Sequence, residues 1–111
     1  MQLSTEQVLA LVAAERQRQD AKWGMQEHSP AMWLTILAEE VGELAHACLE
    51  AQATGSPLPA QIAEAVQVAA VAVAMIEDMA RWWSGESEEI EAAVAKARGE
   101  ACVEQESAGL T

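Results

Sequence analysis

Two groups of carboxylates interrupt stretches that are otherwise apolar: AEEVGELA at residues 38–45 and EAVQ at residues 64–67. An ionised carboxylate taken out of water is costly unless it is paired, protonated or bound to a cation. Acids that converge without basic neighbours therefore point to a divalent metal, which hard carboxylate and amide oxygens bind well. The candidates are Glu39, Glu40, Glu43, Glu64 and Gln67.

Spacing decides which of these can meet. At about 100° per residue, Trp33, Ile36, Leu37, Leu44, Ala47 and Cys48 share one face of a helix, and Glu40 projects from its middle. Glu43 lies one turn on at the edge of that face, with Glu39 and His46 further round towards the polar side. In the second acidic segment, Glu64 and Gln67 are the only polar side chains between Ile62 and Ile76, and they too lie three apart on one face. Two antiparallel helices at the usual ~8–10 Å separation would bring the two pairs together around one or two cations.

Four helices are needed to carry these groups. Ser4 and Gln7 make a capping-box pattern that opens the first, which continues through ERQRQDAKW to Gly24. Ser29 followed by Pro30 opens the second, which stops near Gly55. The break GSPLP launches the third, running to about Trp83 and ended by Ser84 and Gly85. A fourth begins near Ser87, with Glu88, Glu89 and Glu91 in its first turn and Lys96 and Arg98 towards its end, matching the helix dipole. The expectation is an all-α bundle of four to five helices in a single domain over residues 1–104, with 105–111 as a flexible tail. The third helix is apolar almost all round, more than three neighbours can cover in 111 residues, so a homodimer or dimer of dimers is expected to complete it.

Composition excludes several partners. A net charge of −12 with only six Lys and Arg is unsuited to neutralising nucleic-acid phosphates, although a small anion remains open through a bound cation. The longest wholly apolar run, Val68 to Ile76, is too short to span a bilayer, and the stretch from Val8 to Ala14 lacks the preceding basic region of a signal peptide. Cys48 and Cys102 fit no zinc or redox spacing; as reduced thiols they suit a cytoplasmic protein. For a substrate, Trp23 and Trp33 flank the first loop and either stack on a planar group such as a nucleobase or serve as core or interface aromatics. Arg16, Arg18 and Lys22 could reach phosphates or simply form a solvated basic helix end. Trp82 and Trp83 suit the end of the third helix or a subunit contact, and His28 and His46 read as surface polar residues.

The segments ERQRQDAKWG, WLTILAEEVGE, EEVGELAHA and EAVQVAAVAVAMIED together resemble the all-α nucleoside triphosphate pyrophosphohydrolases of the MazG-like type, relatives of the dimeric dUTPases. The resemblance covers roughly Glu15 to Asp78. The family pattern of EExxE, spacer and ExxD reads here as Glu39, Glu40, Glu43, Glu64 and, in place of the aspartate, Gln67. It implies Mg²⁺ (or Mn²⁺) held by Glu40, Glu43, Glu64 and Gln67, with Glu39 orienting or deprotonating water. The substrate would be a (deoxy)nucleoside triphosphate cleaved to monophosphate and pyrophosphate, with Trp23, Trp33, Lys22 and Arg16 as its contacts. Gln67 brings an oxygen but no charge, which weakens the implied metal site.

Two rivals stand beside this reading. Glu43 and His46 form a Glu-x-x-His pair of the kind found in di-iron carboxylate bundles, with Glu64 as a further ligand, though His46 points away from the Glu40 face. Alternatively the chain is a non-enzymatic helical interaction protein whose third helix mediates assembly and whose acids are incidental.

Overall fold

The computed structural model describes residues 1–55, 58–83 and 88–99. Helix α1 spans Thr5–Trp23, α2 Pro30–Thr54, α3 Leu58–Trp82 and α4 Glu88–Ala97, giving an all-α helix bundle. The caps act as their residue types require. The Ser4 hydroxyl accepts from the Gln7 N–H at 3.1 Å while the Gln7 amide oxygen accepts from the Ser4 N–H at 2.8 Å. Ser29 accepts from the Met32 N–H at 3.1 Å with Pro30 at the first helical position. At the far end of α2, Gly55 takes φ 74°, and its N–H closes the helix on the Ala51 carbonyl. Cys102, Ser84, Gly85, Ser87 and the expected tail lie outside the described residues.

Helix α3 is the centre: α2 packs on one side of it and α1 on another. The core is small, with Val12, Trp33, Ala70, Val71 and Ala74 buried and Ile36, Leu37 and Met75 packed around them. Among the described residues α4 makes no close backbone approach to α1, α2 or α3, and the buried side chains lie on those three helices. The reason is local: α4 is amphipathic, with Glu88, Glu89 and Glu91 crowding its start, and periodicity predicts an apolar face without saying what it meets.

Much apolar surface stays uncovered. Leu34, Val41, Leu49, Ile62 and Ile76 on α2 and α3 are all exposed. Taken whole, α3 is also long and apolar enough to cross a bilayer, which its longest uninterrupted apolar run is not. Its acids, however, face the other helices: Glu64 stands opposite Glu40 and Glu43 of α2, the half-exposed Glu77 pairs with Arg16 of α1, and Asp78 accepts from the Trp33 indole of α2.

Candidate metal centre and cleft

Glu40 and Glu43 leave α2 one turn apart, and Glu64 leaves α3 opposite them. One carboxylate oxygen from each lies within 4.8 Å of the other two, so the three groups could hold a metal ion. Glu40 and Glu64 are half-buried and Glu43 is exposed. Among the described residues no Lys, Arg or His pairs with any of the three. Glu40 Oε2 is buried and has no hydrogen-bond partner. Burial pushes the Glu40 carboxyl above its usual pKa, and the charges of Glu43, Glu64, Glu39 and Glu15 add to the shift. A cation at this point would satisfy the orphan oxygen and offset the mutual repulsion, and the all-oxygen donor set suits a hard one.

Glu39 does not join the three; it is exposed and shares the wall of a shallower depression with Glu43, His46 and Glu64. Gln67 is half-buried and lines a cleft to which Glu40 also contributes. That cleft, about 820 Å³, runs between α1, α2 and α3 and is closed at one end by the α1–α2 loop. Its size suits a small organic ligand. His46 stands 3.6 Å from Glu50 and lines the shallower depression with Glu43 and Glu64, but its ring nitrogens are not among the atoms that converge from Glu40, Glu43 and Glu64.

The expected substrate contacts divide. Trp33 takes the core alternative: it is 3% exposed, its indole N–H donates to Asp78 Oδ2 at 2.7 Å, and the His28 ring meets it edge-on at 4.8 Å. Of these two tryptophans it is Trp23, 58% exposed and lining the cleft, that offers an open aromatic surface. Lys22 sits over the Trp23 ring, 4.6 Å from its centroid, and is not in the cleft wall. Arg16 does line the cleft, yet its guanidinium is already engaged, reaching Glu77 at 2.8 Å, Asp20 at 3.0 Å and Gln19 at 3.0 Å. Burial would lower its pKa, but Glu77 and Asp20 outweigh that and hold it above its ordinary value. Arg18 pairs with Glu15 at 2.6 Å, away from the cleft. Trp82 and Trp83 are exposed at the end of α3, and Cys48 is an exposed free thiol.

Two buried acids were missed from the sequence. Asp78 has no exposed surface and accepts from the His28 backbone N–H at 2.8 Å and from the Trp33 indole. The His28 N–H, then the Trp33 N–H, hold its carboxyl below the usual range against the opposing effect of burial, with Arg81 adding to them. His28 is thus a half-buried anchor of the loop rather than a surface residue. Glu15, nearly buried, is the second missed acid. A signal existed for both: Asp78 continues the register of Val71 and Ala74, and Glu15 stands one turn from Val12. No family model, no curated protein and no solved structure matches the chain.

Proposed function

We propose that this chain is a Mg²⁺-dependent nucleoside triphosphate pyrophosphohydrolase of the MazG-like type, with Mn²⁺ as a substitute cation. The observation that carries the reading is the convergence of Glu40, Glu43 and Glu64 on one point, with a buried and unpartnered Glu40 oxygen, beside a cleft of substrate size. The order of acids along the two helices is the one on which the family resemblance rests. Bound there, the cation supplies Lewis acidity to phosphate oxygens and to water.

The rest of the chemistry falls to side chains of this chain. Glu40, Glu43 and Glu64 would hold the cation, and Gln67 would offer an uncharged amide from the wall of the cleft that Glu40 also lines. Glu39, exposed at the edge of the cluster, accepts the proton of the attacking water, as a general base must. The α–β anhydride bond breaks and pyrophosphate leaves with the electron pair. Trp23 gives the nucleobase its aromatic surface. Arg16 fixes α1 to α3 through Glu77 and contributes positive charge to the cleft rather than a free phosphate ligand.

The exposed apolar surface of α2 and α3 favours the rival reading of a helical interaction protein, which needs no metal. One experiment separates the two. The protein is incubated with a panel of ribo- and deoxyribonucleoside triphosphates and Mg²⁺, and monophosphate plus pyrophosphate is resolved from diphosphate plus phosphate. Thermal unfolding is followed with Mg²⁺, Mn²⁺ and chelator. Pyrophosphate release and a metal-dependent rise in Tm are expected; absence of both would remove the enzyme and leave the interaction protein.

A further inference from the structure

Two arginines line the cleft, and they differ in how many donors they have left. Every guanidinium nitrogen of Arg16 is engaged: Nε donates to Glu77 at 2.9 Å, Nη1 to Gln19 at 3.0 Å, and Nη2 lies 2.8 Å from Glu77 and 3.0 Å from Asp20. Arg81 is engaged through a single nitrogen. Its Nη2 donates to the Gln26 carbonyl at 3.2 Å and reaches Asp78 Oδ1 at 3.4 Å, while Nε and Nη1 meet no acceptor among the described residues. The side chain is 42% exposed and lines the cleft, so a guanidinium fixed at one corner has donors left for a ligand. Acceptors close by are already occupied. Gln26 gives its carbonyl to Arg81, and its side-chain oxygen lies 3.0 Å from His28 Nε2.

Position decides which part of a ligand these donors meet. A rise of about 25 Å along α3 separates Glu64, in the carboxylate cluster, from Arg81. Trp23 ends α1 just before the loop whose Gln26 holds Arg81, so the aromatic surface and the available guanidinium share the far end of the cleft. The assignment rests on the hydrolase reading above, in which the phosphates lie at the cation beside Glu64; with that end fixed, it is the base that ends against Trp23 and Arg81. We propose that Arg81 determines the base specificity of the cleft and that its substrates are 6-oxopurine nucleotides, guanine above all. At the base edge remote from the sugar, guanine offers two neighbouring acceptors, O6 and N7, which a guanidinium fork meets with two parallel bonds. Adenine and cytosine place an amino donor there, and uracil and thymine offer O4 alone. Trp23 stacks on any of these bases, so it supplies affinity without choice.

The test reads binding apart from turnover, by isothermal titration calorimetry of the full chain in Mg²⁺ with GMP, IMP, AMP, CMP and UMP. GMP and IMP are expected to bind about tenfold or more tighter than AMP and CMP. The 7-deaza analogue of GMP, in which carbon replaces N7, should lose most of that advantage. Arg81→Lys keeps the positive charge and a donor for the Gln26 carbonyl but loses the fork, so the ratio of GMP to AMP affinity should fall to near one, a change that a merely structural role would not produce. Should the variant fail to fold, the 7-deaza comparison on the parent decides. Equal affinity for GMP and AMP overturns the assignment, as does 7-deaza-GMP bound as tightly as GMP, a full preference retained in Arg81→Lys, or no monophosphate bound at all. Failure of the hydrolase reading looks different: a GMP preference without pyrophosphate release from GTP would keep the role of Arg81 and remove the enzyme, whereas pyrophosphate release indifferent to the base would keep the enzyme and remove the role of Arg81.

Discussion

In Glu40→Gln the side chain keeps its length and loses its charge, so the costs of burial and the benefits of metal retention separate. The metal-free protein should gain thermal stability, because a buried carboxylate with unfavourable neighbours has been neutralised. The rise in Tm with Mg²⁺ should vanish, and turnover with it. Glu39→Gln should behave differently, retaining the Mg²⁺-dependent Tm shift while turnover falls about a hundredfold or more, as for loss of a general base. Gln67→Asp has a sign on each axis: a charged oxygen beside Glu40 should lower the Mg²⁺ concentration for half-maximal pyrophosphate release and destabilise the protein in chelator. A variant indistinguishable from the parent in both would place Gln67 outside the site. The acids of this centre were legible because a carboxylate in the middle of an apolar helical face is anomalous and its i, i+3 partner follows by geometry. Arg16 and Lys22 were harder. A basic helix end advertises charge, and nothing in one strand of sequence reveals that Glu77, sixty-one residues away, already takes up the Arg16 guanidinium.

At the scale of elements, Asp78 ties three segments together: the α1–α2 loop through the His28 N–H, α2 through Trp33, and the end of α3 through Arg81, whose guanidinium also donates to the Gln26 carbonyl at 3.2 Å. Because the folded pKa of Asp78 is depressed, its ionised form adds stability that is complete above the ordinary value of 3.8 and is lost as pH falls through the lower folded value. Asp78→Asn should therefore be less stable than the parent at neutral pH, and the gap in Tm should close as both are taken below that value. A gap that stays constant across the acid limb would show that the charge of Asp78 contributes nothing. Trp33→Ala should cost about 3–5 kcal/mol in urea unfolding, the usual penalty for emptying a buried aromatic site. Helix limits were readable in advance from Ser4, Gly24, Ser29 and Gly55, since caps are local chemistry. What the α1–α2 loop does was not, because its anchor comes from the far end of another helix.

Over the whole molecule, the strong negative charge and the exposed apolar surface of α2 and α3 pull in opposite directions. All-α character follows from helical periodicity in every segment, and the excess of apolar surface over available neighbours is already visible in the third helix. The side on which that excess lies depends on α1 approaching α3 from the cleft, a contact that periodicity cannot supply. If two copies meet, as the sequence leads one to expect, through the exposed apolar side chains of α2 and α3, the only long-range electrostatic contribution to association is repulsion between chains of −12 each. That repulsion reaches about 30 Å at 0.01 M salt and about 8 Å at 0.15 M. Raising NaCl between those concentrations should therefore tighten the dimer, by about tenfold if screening removes some 1.4 kcal/mol of repulsion. Sedimentation velocity at fixed protein concentration reads this directly. An interface held by salt bridges would give the reverse, with salt driving the copies apart, and that outcome would move the contact off the exposed apolar surface of α2 and α3 and onto surface that carries both acids and the few cations of the chain.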